Sequence, residues 1–221
     1  MSDDSFIREV NEELRQDQAK ALWTRYAPLI IGAAVAIVAV TASWVGYEYW
    51  TQSRANASGD RFSAALDLAE EGQHDEALAA FEALEADGYG AYPVLARLRA
   101  ATVLAQKGEL DAAVAEFDAV AADSSVPASI RDMARLRAGY IMVDNGTYDD
   151  VASRVEVLTA DSSSLRHAAR EALALAAWRE GRAADALTLF EQIVDDDAAP
   201  RNTRQRSEVM VELIRGTGTG S

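Results

Sequence analysis

Four stretches of this chain repeat one pattern: EGQHDEALAAFEAL at 71–84, KGELDAAVAEFDAV at 107–120, NGTYDDVASRVEVL at 145–158 and EGRAADALTLFEQI at 180–193. Each has a glycine, four mostly polar residues, a small apolar residue, and a bulky apolar residue four positions later. The glycines, Gly72, Gly108, Gly146 and Gly181, lie 36, 38 and 35 residues apart. A period of that length is the signature of stacked helical hairpins, none of which can bury its apolar face alone. Glycine supplies the left-handed backbone that ends the first helix of a pair. The small residue (Ala77, Ala113, Val151, Ala186) lets two helices approach closely, and the larger one (Phe81, Phe117, Val155, Phe190) fills the space between hairpins. In the second unit, Leu95, Leu98, Ala101, Leu104 and Ala105 mark the apolar face of the preceding helix. Pro93 and Pro127 stand at hairpin boundaries, where proline starts a helix but does not continue one.

Ahead of the repeats, Ala27 to Gly46 are 20 consecutive uncharged residues. A helix of that length rises roughly 30 Å, the hydrocarbon thickness of a bilayer. Trp23 and Tyr26 precede the run, and Trp44, Tyr47, Tyr49 and Trp50 close it, ring types that settle among headgroups. Pro28 is expected in the first turn of the spanning helix, where its missing N–H costs little. A cleaved leader is the competing reading, since Val40-Thr41-Ala42 has a small-x-small form. Against it, the preceding segment carries six acids among ten charges and the apolar run continues past Ala42. The expectation is an uncleaved anchor. Arg8, Arg15, Lys20 and Arg25 precede it while only Arg54 and Arg61 follow nearby, which places the N-terminus inside. In the tail, Asp3, Asp4 and Ser5 are capping types, and Ile7, Val10 and Leu14 recur at helical spacing.

The residues after the span carry 29 acids and 17 bases, a net of −12, which repels phosphate backbones and anionic lipid and makes nucleic acid an unsuitable partner. Chemistry-bearing groups are sparse. The chain has no cysteine, and its two histidines, His74 in a turn and His167 near a helix start, fall in different repeats and read as solvated surface residues. Asp195-Asp196-Asp197 reads as a solvated helix terminus rather than a calcium loop, because no glycine-turned loop surrounds it. There is no phosphate-binding glycine loop, nucleophile elbow or paired-histidine motif. The sequence therefore implies no catalytic residue, no metal site, no cofactor and no small-molecule substrate.

Glycine, alanine and phenylalanine at these offsets resemble the tetratricopeptide repeat, with the third unit departing at Val151 and Val155. That resemblance implies an all-α fold: one N-terminal transmembrane helix, then a tetratricopeptide-like α-solenoid of about four hairpins, then a capping helix near Asn202 to Ile214. The expected organisation is a cytoplasmic tail at 1–25, an anchor at 26–50, a linker at 51–57, the repeat domain at 58–215 and a disordered tail at 216–221. Repeats of this kind bind protein chains along the surface lined by their first helices. The template puts Phe62, Leu66, Leu98, Thr102, Leu136, Tyr140, Leu175 and Trp178 toward that surface, with Phe62, Leu98, Tyr140 and Trp178 as the partner-binding candidates. The same positions also fit packed core. Lysine at groove positions, which a carboxylate clamp needs, is missing, since the one lysine after the span is Lys107, in a turn.

The anchor, the aromatic WVGYEYW that closes it, and GYGAYPVLARLRAATVLAQKGELDAAVAEFDAV at 88–120 together resemble the ancillary SecYEG translocon subunit family (YfgM-like). The resemblance implies a non-enzymatic, single-pass protein of the bacterial inner membrane whose periplasmic repeats associate with the translocon. It also implies a link to a periplasmic chaperone with a prolyl-isomerase-like domain, PpiD, to which newly translocated chains are passed. A scaffold for another inner-membrane or envelope assembly uses the same anchor and repeats and is the alternative.

Overall fold

Helix α1, Asp3–Glu70, is one continuous helix of 68 residues. The computed structural model describes residues 3–218, and side chains at 20 and 22–217. The fold class is as expected: among the described residues the chain is all helical, with α2 His74–Asp87, α3 Tyr92–Gln106, α4 Leu110–Ala122, α5 Ala128–Asn145, α6 Tyr148–Val155, α7 Arg166–Arg179, α8 Ala183–Val194 and α9 Arg201–Gly218. A short 3-10 turn, Glu156–Leu158, follows α6.

The chain divides into two units between Asn56 and Ala57. Residues 51–57, expected as a linker, are helical in α1. Helical hydrogen bonds are local, so a polar stretch without proline continues a helix once it is nucleated. Pro28 therefore lies inside the helix rather than in its first turn, a placement that membrane helices tolerate. The apolar segment is long and apolar enough to cross a membrane, and none of its apolar window is buried, which separates it from a core helix. Arg25 lies 5.9 Å from the Tyr26 ring centre near one end, and Arg54 lies 5.1 Å from the Trp50 ring near the other. Those cation–π pairs suit the polar boundary of a bilayer. The side chains of Asp3, Asp4, Ser5, Ile7, Val10 and Leu14 lie outside the described residues.

The second unit is built as the repeat demands. Residues from Ala57 to the end of α1 pair with α2, then α3 with α4, α5 with α6 and α7 with α8, and α9 packs on α8 and α7. Three turns share one backbone solution. Gly72, Gly108 and Gly181 have φ of 78°, 84° and 77°. The residue after each donates its N–H across the helix end, Gln73 to the Leu68 carbonyl, Glu109 to Leu104 and Arg182 to Ala177, at 2.9, 2.9 and 2.8 Å. This is the Schellman closure, which satisfies carbonyls that a helix end otherwise leaves bare. A Gly108→Val variant meets no steric neighbour but must take the same positive φ. It is expected to lower stability by more than about 1 kcal/mol, read as a lower melting temperature of the unit beginning at Ala57.

The third turn differs. Gly146 has φ −119° and is not left-handed, so the expectation of one turn type in all four repeats fails there. A capping box replaces it: Thr147 Oγ1 accepts from the Asp150 N–H, and Asp150 Oδ2 accepts from the Thr147 N–H at 2.8 Å. The same unit solves its packing differently. A side chain added at Gly139 would run into Val155, so a glycine on α5 and a valine on α6 together fill the space that alanine and phenylalanine fill elsewhere. Phe81, Phe117, Phe190, Val151 and Val155 are all essentially inaccessible to solvent.

At the C-terminal end, α9 is longer than expected and residues 216–218, assigned to a disordered tail, are helical. Residues 219–221 lie outside the described residues.

Candidate functional site

The first helices of the hairpins carry the positions assigned to partner binding, and the second unit of the chain places each of them in a specific packing context. Phe62 is half-buried, its ring 5.7 Å from both Phe81 and Tyr92. Leu98 on α3 leans on the cluster formed by Ala101, Val114, Phe117 and Ala134. Trp178 on α7 leans on the cluster that contains Phe190 and Ile193. Leu136 is buried. Leu66 and Thr102 come together in a pocket of about 160 Å³ with Phe81, Arg99 and Gln106, where Thr102 Oγ1 accepts from Arg137 at 3.2 Å.

Tyr140 takes a supporting role that its sequence context did not signal. Its hydroxyl is 3.2 Å from the Ala168 carbonyl and 3.2 Å from Glu171 Oε2, both acceptors for its single proton. Burial, and then the negative charge of Glu171, push the phenol well above its ordinary range. Glu171 itself is buried on α7 and is forked by Arg206 of α9 at 2.8 and 2.9 Å. Tyr140, Glu171 and Arg206 thus connect α5, α7 and α9. The sequence offered one signal for this, a glutamate inside the apolar run of α7 (REALALAAW), which requires a partner if buried.

Beside that network opens a second pocket, of about 580 Å³, lined by Glu171, Leu175, Phe190, Arg206, Val209 and Met210. Asn202 and Gln205 also line it. Its walls are α7, α8 and α9, so the capping helix contributes to a cavity rather than presenting a purely polar outer face.

The two histidines require a correction. His167 is buried, not solvated, with Nε2 2.7 Å from Asp196 Oδ2. A carboxylate only accepts, so Nε2 carries the proton. His74 is the first residue of α2 and is half-buried. Asp196 is likewise no plain solvated terminus. It also accepts from Arg166 Nε at 3.0 Å and from the Ala198 N–H at 2.9 Å. Those three donors, His167 first, hold its carboxyl well below the ordinary 3.8. A depressed carboxylate contributes stability above its unfolded value and loses it as pH falls through the folded one. An Asp196→Asn variant is therefore expected to lose stability at neutral pH and to unfold with a shallower dependence on pH below about 4, measured by denaturant titration across that range.

Against known protein families, residues 20–196 match the family described as a tetratricopeptide repeat-like domain. The chain belongs to that family. The match covers most of the chain and runs through both the apolar part of α1 and the four hairpins, leaving α9 outside it. Comparison with curated proteins gives no match, and neither does comparison with solved structures. Tetratricopeptide repeat-like domains are, as a class, protein-interaction modules, and the chain is one by membership.

Proposed function

We propose that this tetratricopeptide repeat-like protein is a non-enzymatic, single-pass component of the bacterial inner membrane. The proposed topology has the N-terminus cytoplasmic, α1 spanning through 26–50 and the repeats in the periplasm. Its proposed role is an accessory subunit of the SecYEG translocon that links newly translocated chains to a periplasmic chaperone of the PpiD type. The observation that supports the reading is the family match itself, which takes in an exposed apolar helix and the hairpins as one unit. A module meant for soluble partners has no use for an unburied apolar stretch of bilayer length.

Partner chains are proposed to lie along the first helices, over Phe62, Leu98, Tyr140 and Trp178. Their half-burial leaves each ring or branched side chain with one packed side and one available side, the condition under which aromatic anchors act at interfaces. The strongly acidic domain then disfavours acidic partners.

The test is in-cell crosslinking with a photoreactive residue at Arg99, an exposed position on the rim of the Thr102 pocket, and a second at Trp178. Adducts to translocon subunits or to a periplasmic chaperone are expected. Adducts confined to another envelope complex would replace the translocon reading with the scaffold one, and adducts to neither would end both.

A further inference from the structure

The pocket of about 580 Å³ between α7, α8 and α9 falls in the range, roughly 300 to 1,000 Å³, in which protein cavities take up a ligand. Its apolar lining is Leu175, Phe190, Val209 and Met210. Its charges cancel each other. Both oxygens of Glu171 accept from Arg206, at 2.8 and 2.9 Å, and the Tyr140 hydroxyl stands 3.2 Å from one of them. What remains is hydrogen-bonding capacity on α9, most of it donors. Arg206 engages Glu171 through Nε and Nη2, and Nη1 is not part of that fork. Asn202 accepts from the Thr203 N–H at 2.9 Å with its carbonyl oxygen, which leaves the two protons of its amide. Gln205 is exposed and makes no hydrogen bond among the described residues.

We infer that this pocket binds an uncharged, extended stretch of polypeptide, with two bulky apolar side chains in the cavity and main-chain carbonyls against Asn202, Gln205 and Arg206. The inference rests on the reading of the domain as a binder of protein chains, and it adds a site on α9, which lies outside the family match. Charge selects the occupant. An anionic group would meet a guanidinium already neutralised by Glu171, in a domain of net −12. A cation would find Glu171 as the pocket's one carboxylate, and it is already paired. Neutral acceptors are what the remaining donors fit. Spacing agrees with this. Asn202 and Arg206 are four residues apart, about 6 Å along the helix, and carbonyls on one side of an extended chain recur about every 6.6 Å. Side chains two positions apart share one face of such a chain, so a single segment supplies the acceptors and the apolar groups together.

The test uses the purified full-length chain in lipid nanodiscs with a photoreactive residue at Val209, which is exposed and lines the pocket. The probe is a capped, neutral heptapeptide with phenylalanine at its third and fifth positions and serine and glycine elsewhere. A saturable adduct to this peptide is expected. Exchanging both phenylalanines for serine, or both for aspartate, is expected to lower the yield at least about tenfold. Asn202→Asp together with Gln205→Glu keeps side-chain size and the contact to Thr203 but removes the amide donors. That chain is expected to capture the peptide at least about tenfold less well, while circular dichroism still reports a folded helical protein, since both residues are exposed. No saturable adduct, equal capture of the aspartate peptide, undiminished capture by the doubly substituted chain, or adducts only to lipid or to a second copy would each overturn the inference. The measurement needs neither translocon nor chaperone. Peptide capture here without translocon or chaperone adducts in cells would therefore sink the translocon reading and leave this site standing, and the reverse result would sink this site alone.

Discussion

Replacing Phe117 by alanine is expected to destabilise the repeat unit by about 3 to 5 kcal/mol, the range for removing a fully buried ring whose site collapses only in part. Phe117 is 2% exposed and lies among Ala101, Val114, Val120, Ala134 and Ala138. Those residues come from α3, α4 and α5, so one ring bridges the second hairpin and the first helix of the third. Few of its neighbours can move inward, because the alanines on the facing helices already mark the closest backbone approach. In a stack where each repeat touches only its neighbours, a loss at one interface uncouples the two sides. The melting transition of the unit beginning at Ala57 is therefore expected to fall and to broaden or split. Unchanged melting would refute the hairpin register.

The second large effect is expected from Arg206→Ala. Removing one partner of a buried ion pair leaves the other charge without compensation, at about 3 to 5 kcal/mol when both are buried. Here Glu171 is 7% exposed but Arg206 is 56% exposed, so water screens part of the pair and the expected loss is about 2 kcal/mol. Tyr140 can still donate to Glu171, which limits the loss further but cannot neutralise the carboxylate. Adding Glu171→Gln to the Arg206→Ala chain is expected to restore part of the stability, because a neutral amide costs less to bury than an unpaired carboxylate. Chemical denaturation of the three variants checks both statements. A double variant no more stable than Arg206→Ala alone would show that the ion pair is not what links α7 to α9.

Much of this was legible in the sequence, and the parts that were not have identifiable causes. Gly72, Gly108 and Gly181 announce helix ends because positive φ is a local property that glycine alone meets without strain. Gly146 misleads because a neighbouring Thr147–Asp150 box closes the turn without it, and a pattern of glycine spacing carries no information about which cap is used. The unbroken run of α1 past Trp50 was missed because hydropathy changes there while helix-forming tendency does not. His167, Asp196 and the Tyr140–Glu171–Arg206 network depend on contacts between residues about 30 positions apart. Such contacts follow from how hairpins stack and not from local composition. The partner-binding positions were legible as faces of helices, but how deeply each one packs is set by its neighbours: Leu136 is buried while Leu98, at the equivalent place one repeat earlier, keeps a half-open side.

In the proposed function α1 remains as a permanent anchor with the hairpins outside the cytoplasm. Protease added to spheroplasts of cells carrying the full chain tests this directly, with the protected and released pieces identified by mass. The prediction is loss of the unit beginning at Ala57, with a protected N-terminal fragment that starts at the first residues of the chain and contains Ala27 to Gly46. A mature protein whose N-terminus lies at or beyond Ser43, or a hairpin unit that stays intact until the membrane is lysed, would contradict it.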